Sequence, residues 1–384
     1  MDVKFLQSIN DISAADWNTL FNTDYPFIQH EFLFLLESSG CTQRATGWDP
    51  CHIIVSDNDQ LIAAMPSYIK THSYGEYVFD WAWANAYQQH GLNYYPKLLS
   101  AIPFTPATGP RLAFAKTVDG GEEKINIIRH IDQAIRDKFN SQSLSSWHLL
   151  FPDAELSSLL EQCQWEQRIG IQYHWFNRNY ASFDNFLDSF KSRKRKTVRK
   201  EREAVAKQDI SMRIVSDDNI SKELMSKFYR FYHLTYLKRS GQQGYLNLRF
   251  FQLLLSKMSS NLVMICAIKD EVLIGAALCF KDSTTLYGRY WGCDQEYDFL
   301  HFEACYYQGI EYCIDTGLQR FDPGAQGEHK IPRGFEPTKT YSNHVILNKE
   351  FQQAINHFIQ EERLQITAYS EQLSKSLPFK ESHI

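Results

Sequence analysis

Several motifs that would assign a function at once are missing from this sequence. It contains no Gly-x-x-x-x-Gly-Lys-Ser/Thr or Gly-x-Gly-x-x-Gly phosphate loop, no His-Glu-x-x-His zinc motif and no Gly-x-Ser-x-Gly nucleophile elbow. The eight cysteines form no Cys-x-x-Cys pair and no zinc-binding spacing, which favours reduced thiols in a cytoplasm. We therefore expect no metal site and none of the common nucleotide-binding or hydrolase sites.

Long apolar segments and a strong net charge are also missing. No apolar run approaches the ~20 residues that span a bilayer, and the N-terminus has no hydrophobic signal-peptide core. The net charge of −5 gives no general attraction to nucleic acid or anionic membrane, so any site for a polyanion must be local. We expect a cytoplasmic protein in which any membrane contact is peripheral.

The sequence contains enough material for two domains. Its 384 residues exceed the size at which one core stops growing, and 21 Tyr and 26 Phe indicate a large buried aromatic area. A pattern of three strands occurs twice, with apolar residues at helical spacing before and after each set. The predicted strands are 52–56, 61–65 and 77–83 in the first half and 262–268, 272–278 and 286–291 in the second. The sequence therefore predicts two α/β (α+β) domains, 1–178 and 179–384, each with helices flanking a mixed, mostly antiparallel sheet.

Several blocks of the second half resemble a known family. They are Tyr-Gly-Arg-Tyr-Trp-Gly-Cys at 287–293, Leu-His-Phe-Glu-Ala-Cys-Tyr-Tyr-Gln at 300–308, Gly-Ala-Gln-Gly-Glu-His-Lys at 324–330 and Arg-Gly-Phe-Glu-Pro at 333–337, with further similar blocks at 103–111 and 192–202. The chain is similar over nearly its whole length to the FemAB-like family of predicted N-acyltransferases. That family is linked to peptidoglycan synthesis or recognition within the acetyltransferase (GNAT) superfamily. The resemblance implies two tandem GNAT-like domains, with the active site mainly in the second.

The segment 321–335 is the richest in chemistry. It holds three glycines and five ionisable side chains, including a histidine next to a carboxylate and an amine. Such a histidine is a typical acid or base near neutral pH, and glycines let the backbone approach a ligand closely. We expect His329 and Glu328 to take part in catalysis and Gln326, Lys330 and Arg333 to bind substrate. The alternative is a surface loop whose charges pair internally.

Two further candidates follow the predicted strand 286–291. Acyl transfer to an amine requires a base for the ammonium proton and donors for the tetrahedral oxyanion. The resemblance implies that the acyl group meets its acceptor beside this strand end, which suits His301 and Glu303, and we take Glu303 or His329 as the base. The alternative role for Glu303 is stabilisation of a helix N-terminus. Strand residues expected to contact the substrate are Arg289, Tyr290 and Trp291.

Two segments are candidate phosphate-binding sites. The run 191–202 has eight Lys or Arg residues among twelve, and like charges four residues apart repel, so helix stability does not require them. The loop 103–111 combines threonines, a glycine and an arginine, as in an anion-binding turn. The alternatives are a solvated face and a turn stiffened by three prolines. The candidate residues are Lys194, Arg195, Lys196 and Arg199 in the first segment and Thr105, Thr108, Gly109 and Arg111 in the second.

Together these features predict an N-acyltransferase that moves an acyl or aminoacyl group from a carrier to an amine. Neither half contains the Gln/Arg-x-x-Gly-x-Gly/Ala loop of acetyltransferases, which disfavours ordinary acetyl-CoA binding. The donor stays open between an acyl-CoA and an aminoacyl-tRNA, and the expected acceptor is a small or lipid-linked amine such as a cell-wall precursor. The competing class is a non-catalytic GNAT-like module that recognises a peptidoglycan precursor or a protein partner.

Overall fold

The computed structural model describes residues 1–139, 144–325 and 327–380, without the side chains of residues 349 and 350. The chain divides into two compact units: unit 1 comprises Met1–Gly170 with Lys339–Ala368, and unit 2 comprises Ile171–Thr338 with Tyr369–Ile384. The limits 1–178 and 179–384 stay a prediction about independently folding domains. Within the described residues, no helix combines the length and the apolar character that a bilayer crossing requires.

Strands and helices are interspersed along the chain. The strands are β1 Asp2–Leu6, β2 Trp48–Pro50, β3 His52–Asp57, β4 Gln60–Met65, β5 Ser67–Lys70, β6 Lys97–Ser100, β7 Ala113–Phe114, β8 Ser146–Leu150, β9 Glu166–Phe176, β10 Ile210–Ser216, β11 Leu262–Lys269, β12 Val272–Lys281, β13 Thr285–Cys293, β14 Arg320–Asp322 and β15 Glu336–Ile346. The helices are α1 Ala14–Phe21, α2 His30–Ser38, α3 Trp81–Gln89, α4 Gly121–Phe139, α5 Ala154–Gln162, α6 Phe183–Asp188, α7 Ser192–Ala206, α8 Lys222–Ser240, α9 Leu248–Met258, α10 Leu300–Phe302, α11 Gln308–Thr316 and α12 Lys349–Ser374. A π-helical segment, Glu303–Tyr307, joins α10 to α11.

Unit 1 contains two groups of paired strands. One is a four-stranded antiparallel sheet in the order β1-β3-β4-β7. In the other, β2 pairs with β5, β5 with β6 and β8 with β15 in antiparallel fashion, whereas β6 and β8 run parallel. Apolar residues of α4, including Ile127, Ile131 and Ile135, pack against these strands in one core.

The third strand predicted for the first half is wrong. Residues 77–80 lie outside any strand, and α3 begins at Trp81. The alternation of aromatic residues at 77, 79, 81 and 83 suggested a strand, but Trp83 and Tyr87, four residues apart, bury one face of a helix against α12. The strand that follows β4 is β5, which resumes directly after Pro66.

Unit 2 realises the predicted three-strand pattern. Strands β11, β12 and β13 form an antiparallel meander over the predicted positions, with β10 on one side. On the other side β13 pairs in parallel with β14, which pairs with β9. Ser182 caps α6 by accepting a hydrogen bond from the Asn185 amide, and Phe183, Phe186 and Phe190 enter the core of this unit. The predicted fold class, tandem mixed α/β domains of GNAT type, is confirmed.

Candidate active site

The candidate site of unit 2 begins where β13 stops pairing with β14. Their ladder runs from Thr285–Arg320 to Tyr287–Asp322, and among the described residues it continues no further. Beyond Tyr287 the strand side chains change from buried to partly exposed. The pairing of β12 with β13 also shifts here, so that Arg289 is an extra residue opposite Leu278 and Cys279. Bulges of this kind bend a strand and re-aim its side chains.

His329 and Tyr306 form the central contact of the site. The Tyr306 hydroxyl lies 2.8 Å from His329 Nε2 within hydrogen-bonding geometry, and the tyrosine is buried whereas the histidine is exposed. Burial lowers the pKa of His329, and the positive charges of Lys330 and Arg333 lower it further. The imidazole is therefore neutral near pH 7, reachable from solvent and held by a buried partner, which are the requirements for a general base.

His301 lies next to this pair. Its ring centroid is 5.4 Å from that of Tyr306 and 5.9 Å from that of Trp291 at the end of β13. Burial lowers the pKa of His301 to about 4, with smaller contributions from the positive charges around it. Two neutral imidazoles thus flank one buried tyrosine beside the strand end.

The side chains of Lys330 and Arg333 bond within unit 2 and stabilise the segment 321–335. Lys330 is buried and donates to the Gly324 carbonyl at 2.6 Å, and burial lowers its pKa to about 8. Arg333 forms a two-pronged salt bridge with Glu201, at 2.7 and 3.1 Å, and its guanidinium carbon lies 3.5 Å from the Phe302 ring centroid. In this conformation both side chains support the backbone that presents His329.

Glu303, the first candidate for the base, is a buried partner of Arg202. The guanidinium donates to both carboxylate oxygens at 2.9 to 3.2 Å, and the Gln308 amide adds a bond of 2.8 Å. A carboxylate that accepts this many bonds gives them up when it takes a proton. The geometry therefore favours His329 over Glu303 as a base.

The other predicted residues that the structure describes make different contacts. Tyr290 faces the opposite side of β13 from Trp291, because successive strand residues alternate, and contacts the Tyr232 and Phe251 rings. The Arg289 guanidinium carbon lies 5.5 Å from the Tyr290 ring centroid. Glu328 is exposed and accepts a hydrogen bond from Tyr369. Gln326 lies outside the described residues.

The basic run forms the predicted helix, α7, with two stripes of different character. Arg195, Arg199 and Arg202 define the paired stripe, because they contact Asp188 at 3.0 Å, Asp184 at 3.1 Å and Glu303 together with Glu311. The unpaired stripe consists of Arg193, Lys196 and Lys200, which are exposed and form no salt bridge with any residue the structure describes. Lys194 is partly exposed, and no salt bridge involves it in the described part of the chain. The spacing of the unpaired stripe, i, i+3 and i+7, can be seen in the sequence. The acidic partners of Arg195, Arg199 and Arg202 could not be assigned from the sequence.

In the 103–111 loop of unit 1, the candidate phosphate-binding donors bond to backbone carbonyls of the same unit. Arg111 is completely buried and donates to the carbonyls of Leu150, Pro110 and Ala107 at 2.6 to 3.2 Å. The Thr105 hydroxyl donates to the Pro103 carbonyl, and the Gly109 amide to the Phe151 carbonyl. A Cβ at Gly109 would lie 2.6 Å from the Tyr25 ring. These donors are occupied internally, so the geometry gives the predicted anion nest no support; Thr108, partly exposed, has no described partner for its hydroxyl.

Sequence reasoning did not find Tyr306. It lies in the 300–308 block but was given no role there, and its contact with His329 is made from the π-helical segment that joins α10 to α11. Insertions of this kind are frequent at functional sites. Among the described residues, no group of three or more His, Cys, Asp or Glu side chains is arranged to hold a metal ion.

Comparison with solved structures gives neighbours of the same fold. FemX matches with a TM-score of 0.53 and 11% identity, over 93% of this chain and 100% of that chain. A tandem GNAT protein from the clavulanic acid biosynthesis pathway matches with a TM-score of 0.50 and 8% identity, over 90% and 98%. The C-terminal domain of a putative lysylphosphatidylglycerol synthetase from Agrobacterium fabrum matches with a TM-score of 0.50 and 9% identity, over 91% and 94%. At these identities the likeness concerns the fold alone.

Comparison at the level of sequence gives the family. Comparison with curated proteins gave no match. The FemAB-like family, described as acting in peptidoglycan biosynthesis or recognition, matches residues 8–381. The match agrees with the blocks noted in the sequence and with the tandem fold. This chain belongs to the FemAB-like family.

Proposed function

We propose that unit 2 transfers an acyl or aminoacyl group from a carrier to an amine, with His329 as the general base. The observation that carries this proposal is a neutral, exposed imidazole fixed by buried Tyr306 beside the end of β13. A second neutral imidazole, His301, and the indole of Trp291 complete one wall. Family membership supports a peptidoglycan precursor as the source of the acceptor amine.

The reaction follows from these positions. His329 takes a proton from the acceptor ammonium group, and the free amine attacks the carbonyl carbon of the donor ester or thioester. The nitrogen of the tetrahedral intermediate loses a second proton, which is released to solvent. The intermediate then expels the carrier oxygen or sulfur, to which the protonated imidazole returns the first proton. The new amide and the free carrier are the products, and positioning contributes much of the rate.

The charges near the strand end favour an aminoacyl donor over an acyl-CoA. In GNAT-like folds the donor phosphates are expected at the start of the helix after this strand. Here the preceding loop, 294–299, carries Asp294, Glu296 and Asp298, all exposed. Three carboxylates repel a pyrophosphate but suit the α-ammonium group of an aminoacyl residue. The unpaired stripe of α7 would then hold tRNA phosphates through Arg193, Lys196 and Lys200, as a cytoplasmic location would allow.

An assay that compares two kinds of acyl donor tests the proposal. The purified protein is offered aminoacyl-tRNA or an acyl-CoA together with amine-bearing peptidoglycan precursors, and new amides are identified by mass spectrometry. We expect transfer from aminoacyl-tRNA that weakens steeply with salt. Transfer from acyl-CoA alone would contradict the donor assignment.

The competing function, a non-catalytic recognition module, predicts a different outcome of the same assay. It predicts precursor binding without a new amide from any donor, unchanged in His329→Asn. The exposure of His329 favours the enzyme, because a module that only recognises a ligand does not require a reachable neutral base.

A further inference from the structure

The segment 71–95 of unit 1 has an unusual composition. Its 25 residues include eight aromatic residues but only two charged ones, Glu76 and Asp80, whereas 22% of the whole chain is charged. Neither the predicted strand nor the proposed reaction accounts for this concentration of aromatic residues. We call its first part, residues 73–81, the aromatic strap.

The inner side of the strap is fixed by one buried lysine. Lys97 Nζ donates to Ser73 Oγ at 2.8 Å, to Glu76 Oε2 at 2.7 Å and to Asp80. The Tyr94 hydroxyl also donates to Asp80, at 2.6 Å. Both carboxylates of the segment are therefore buried and turned towards Lys97, and the strap is anchored at three points.

The outer side of the strap is aromatic. Tyr74 is 56% exposed, Phe79 57% and Trp81 39%, and the rings of Tyr74 and Trp81 lie 5.3 Å apart. Helix α3 continues this surface with exposed alanine, asparagine and glutamine, and exposed Leu92 follows the helix. From Thr71 to Tyr95 no charged side chain is exposed.

We propose that the aromatic strap docks unit 1 on the interface of a lipid bilayer. Tryptophan and tyrosine rings prefer the headgroup level, where one end is apolar and the other is hydrated. Lysine and arginine, which would recognise anionic headgroups, are absent from the exposed surface of the segment, so the contact depends on burial of the rings and not on lipid charge. The carboxylates that a saccharide site would offer to hydroxyl groups are turned inwards to Lys97. The inference does not depend on the proposed transfer reaction.

Co-sedimentation with vesicles of pure phosphatidylcholine tests the docking. We expect the full-length protein to bind neutral vesicles with an affinity that is the same at low and high salt. The double variant Phe79→Ser/Trp81→Ser should bind at least about tenfold more weakly, because two rings no longer enter the interface. The matched control is Val272→Ser/Leu364→Ser, which removes the two most exposed aliphatic side chains elsewhere, 60% and 75% exposed, and should bind as the wild type does.

Quenching locates the contact. Brominated acyl chains should quench tryptophan fluorescence in the wild type but much less in Trp81→Phe, which keeps an aromatic ring and should keep vesicle binding. The proposal is wrong if the wild type does not bind neutral vesicles, or if the strap variant binds as well as the control. It is equally wrong if binding requires anionic lipid and is lost on changing Arg193, Lys196 and Lys200. A wild-type dimer that becomes monomeric in the strap variant, without vesicle binding, would assign the surface to a second copy.

Discussion

Each unit contains a pair of parallel strands, and the residues that lie beyond the end of the ladder differ between the two units. In unit 1 the ladder between β6 and β8 ends at Ser100–Leu149, and in unit 2 that between β13 and β14 ends at Tyr287–Asp322. Beyond the first pair, Arg111 and the 103–111 loop bond to the carbonyls of Leu150 and Phe151. Beyond the second pair lie His301, Tyr306 and His329, joined by ring contacts and one hydrogen bond.

This difference separates a structural role from a chemical one. A buried guanidinium whose three nitrogens each donate to a backbone carbonyl stabilises a loop and is not reachable by a ligand. An exposed imidazole with one buried partner keeps its second ring nitrogen available to exchange a proton with a substrate. We therefore place the proposed reaction in unit 2, because the described residues at the strand end of unit 1 include a buried arginine but no exposed imidazole like His329.

The largest expected effect is on His329. His329→Asn keeps a polar group near Tyr306 but cannot take up a proton, so turnover should fall by about 10²- to 10⁴-fold. The control is Glu328→Gln, which changes the exposed neighbour and should leave turnover nearly unchanged. Rates are measured in single turnovers, with circular dichroism to verify folding. Wild-type rates in His329→Asn would show that His329 is not the base, and the proposed chemical difference between the two units would then be wrong.

The second prediction concerns Arg111. Arg111→Met leaves the carbonyls of Leu150 and Pro110 without this donor, whereas the Ala107 carbonyl keeps its bond from the Tyr25 hydroxyl, so the free energy of unfolding should fall by about 2 kcal/mol or more. Lys116→Met, an exposed change nearby, is the control and should have little effect. Transfer per folded molecule should stay as in the wild type. Loss of transfer with unchanged stability would instead make the 103–111 loop a substrate site, as the sequence suggested.

Acid should destabilise unit 1 through two buried histidines. Burial lowers the pKa of His148 in unit 1 to about 3 and that of His344, whose Nδ1 lies 2.7 Å from His148 Nδ1, well below its usual value. Above pH 6.5 both histidines are mostly neutral in the folded and in the unfolded chain, so neither makes the stability depend on pH. Between pH 6.5 and about 3 the unfolded chain binds protons that the folded chain excludes, so stability falls as the pH falls, by up to about 1.4 kcal/mol per unit for each group.

Urea unfolding at pH 7 and pH 5 measures this loss of stability. His148→Gln removes one titrating group, so its stability should depend less on pH over this range than that of the wild type. Equal pH dependence in both proteins would contradict the account of buried neutral histidines.

The smallest expected effect concerns the two stripes of α7. Arg193→Gln/Lys196→Gln/Lys200→Gln should weaken binding of a tRNA donor about tenfold at physiological salt and reduce the magnitude of the salt slope by about 2 to 3. Arg195→Gln/Arg199→Gln should change it less, since those side chains already pair with Asp188 and Asp184. Equal effects in filter binding would show that pairing does not matter.

Much of unit 2 was predictable, because its strands are apolar runs separated by polar turns. The meander β11–β13 follows from local sequence patterns that remain in the folded structure. In the segment 77–83 the same reasoning failed. Aromatic residues there alternate as in a strand, yet the burial of Trp83 and Tyr87 against α12 decides for a helix.

The candidate site was predictable only in part. The loop histidine and lysine stood out by residue type, whereas partners far apart in sequence did not: Arg202 with Glu303, Arg333 with Glu201 and Tyr306 with His329. These contacts decide which group is a base and which is a structural ion, and they arise from tertiary packing. The hydrogen bonding of the 103–111 loop likewise depends on Leu150 and Phe151, some forty residues away.

The most direct test of the assignment to His329 is the pH dependence of kcat/KM for transfer, measured in the wild type and in Glu303→Gln. Burial and the neighbouring cations lower the pKa of His329, so activity should persist below pH 6.5 and then fall as the imidazole takes up a proton. The same acid limb should appear in Glu303→Gln, with turnover within about tenfold of the wild type, since that carboxylate serves Arg202. Loss of the acid limb in Glu303→Gln, together with its retention in His329→Asn, would make Glu303 the base and contradict the account.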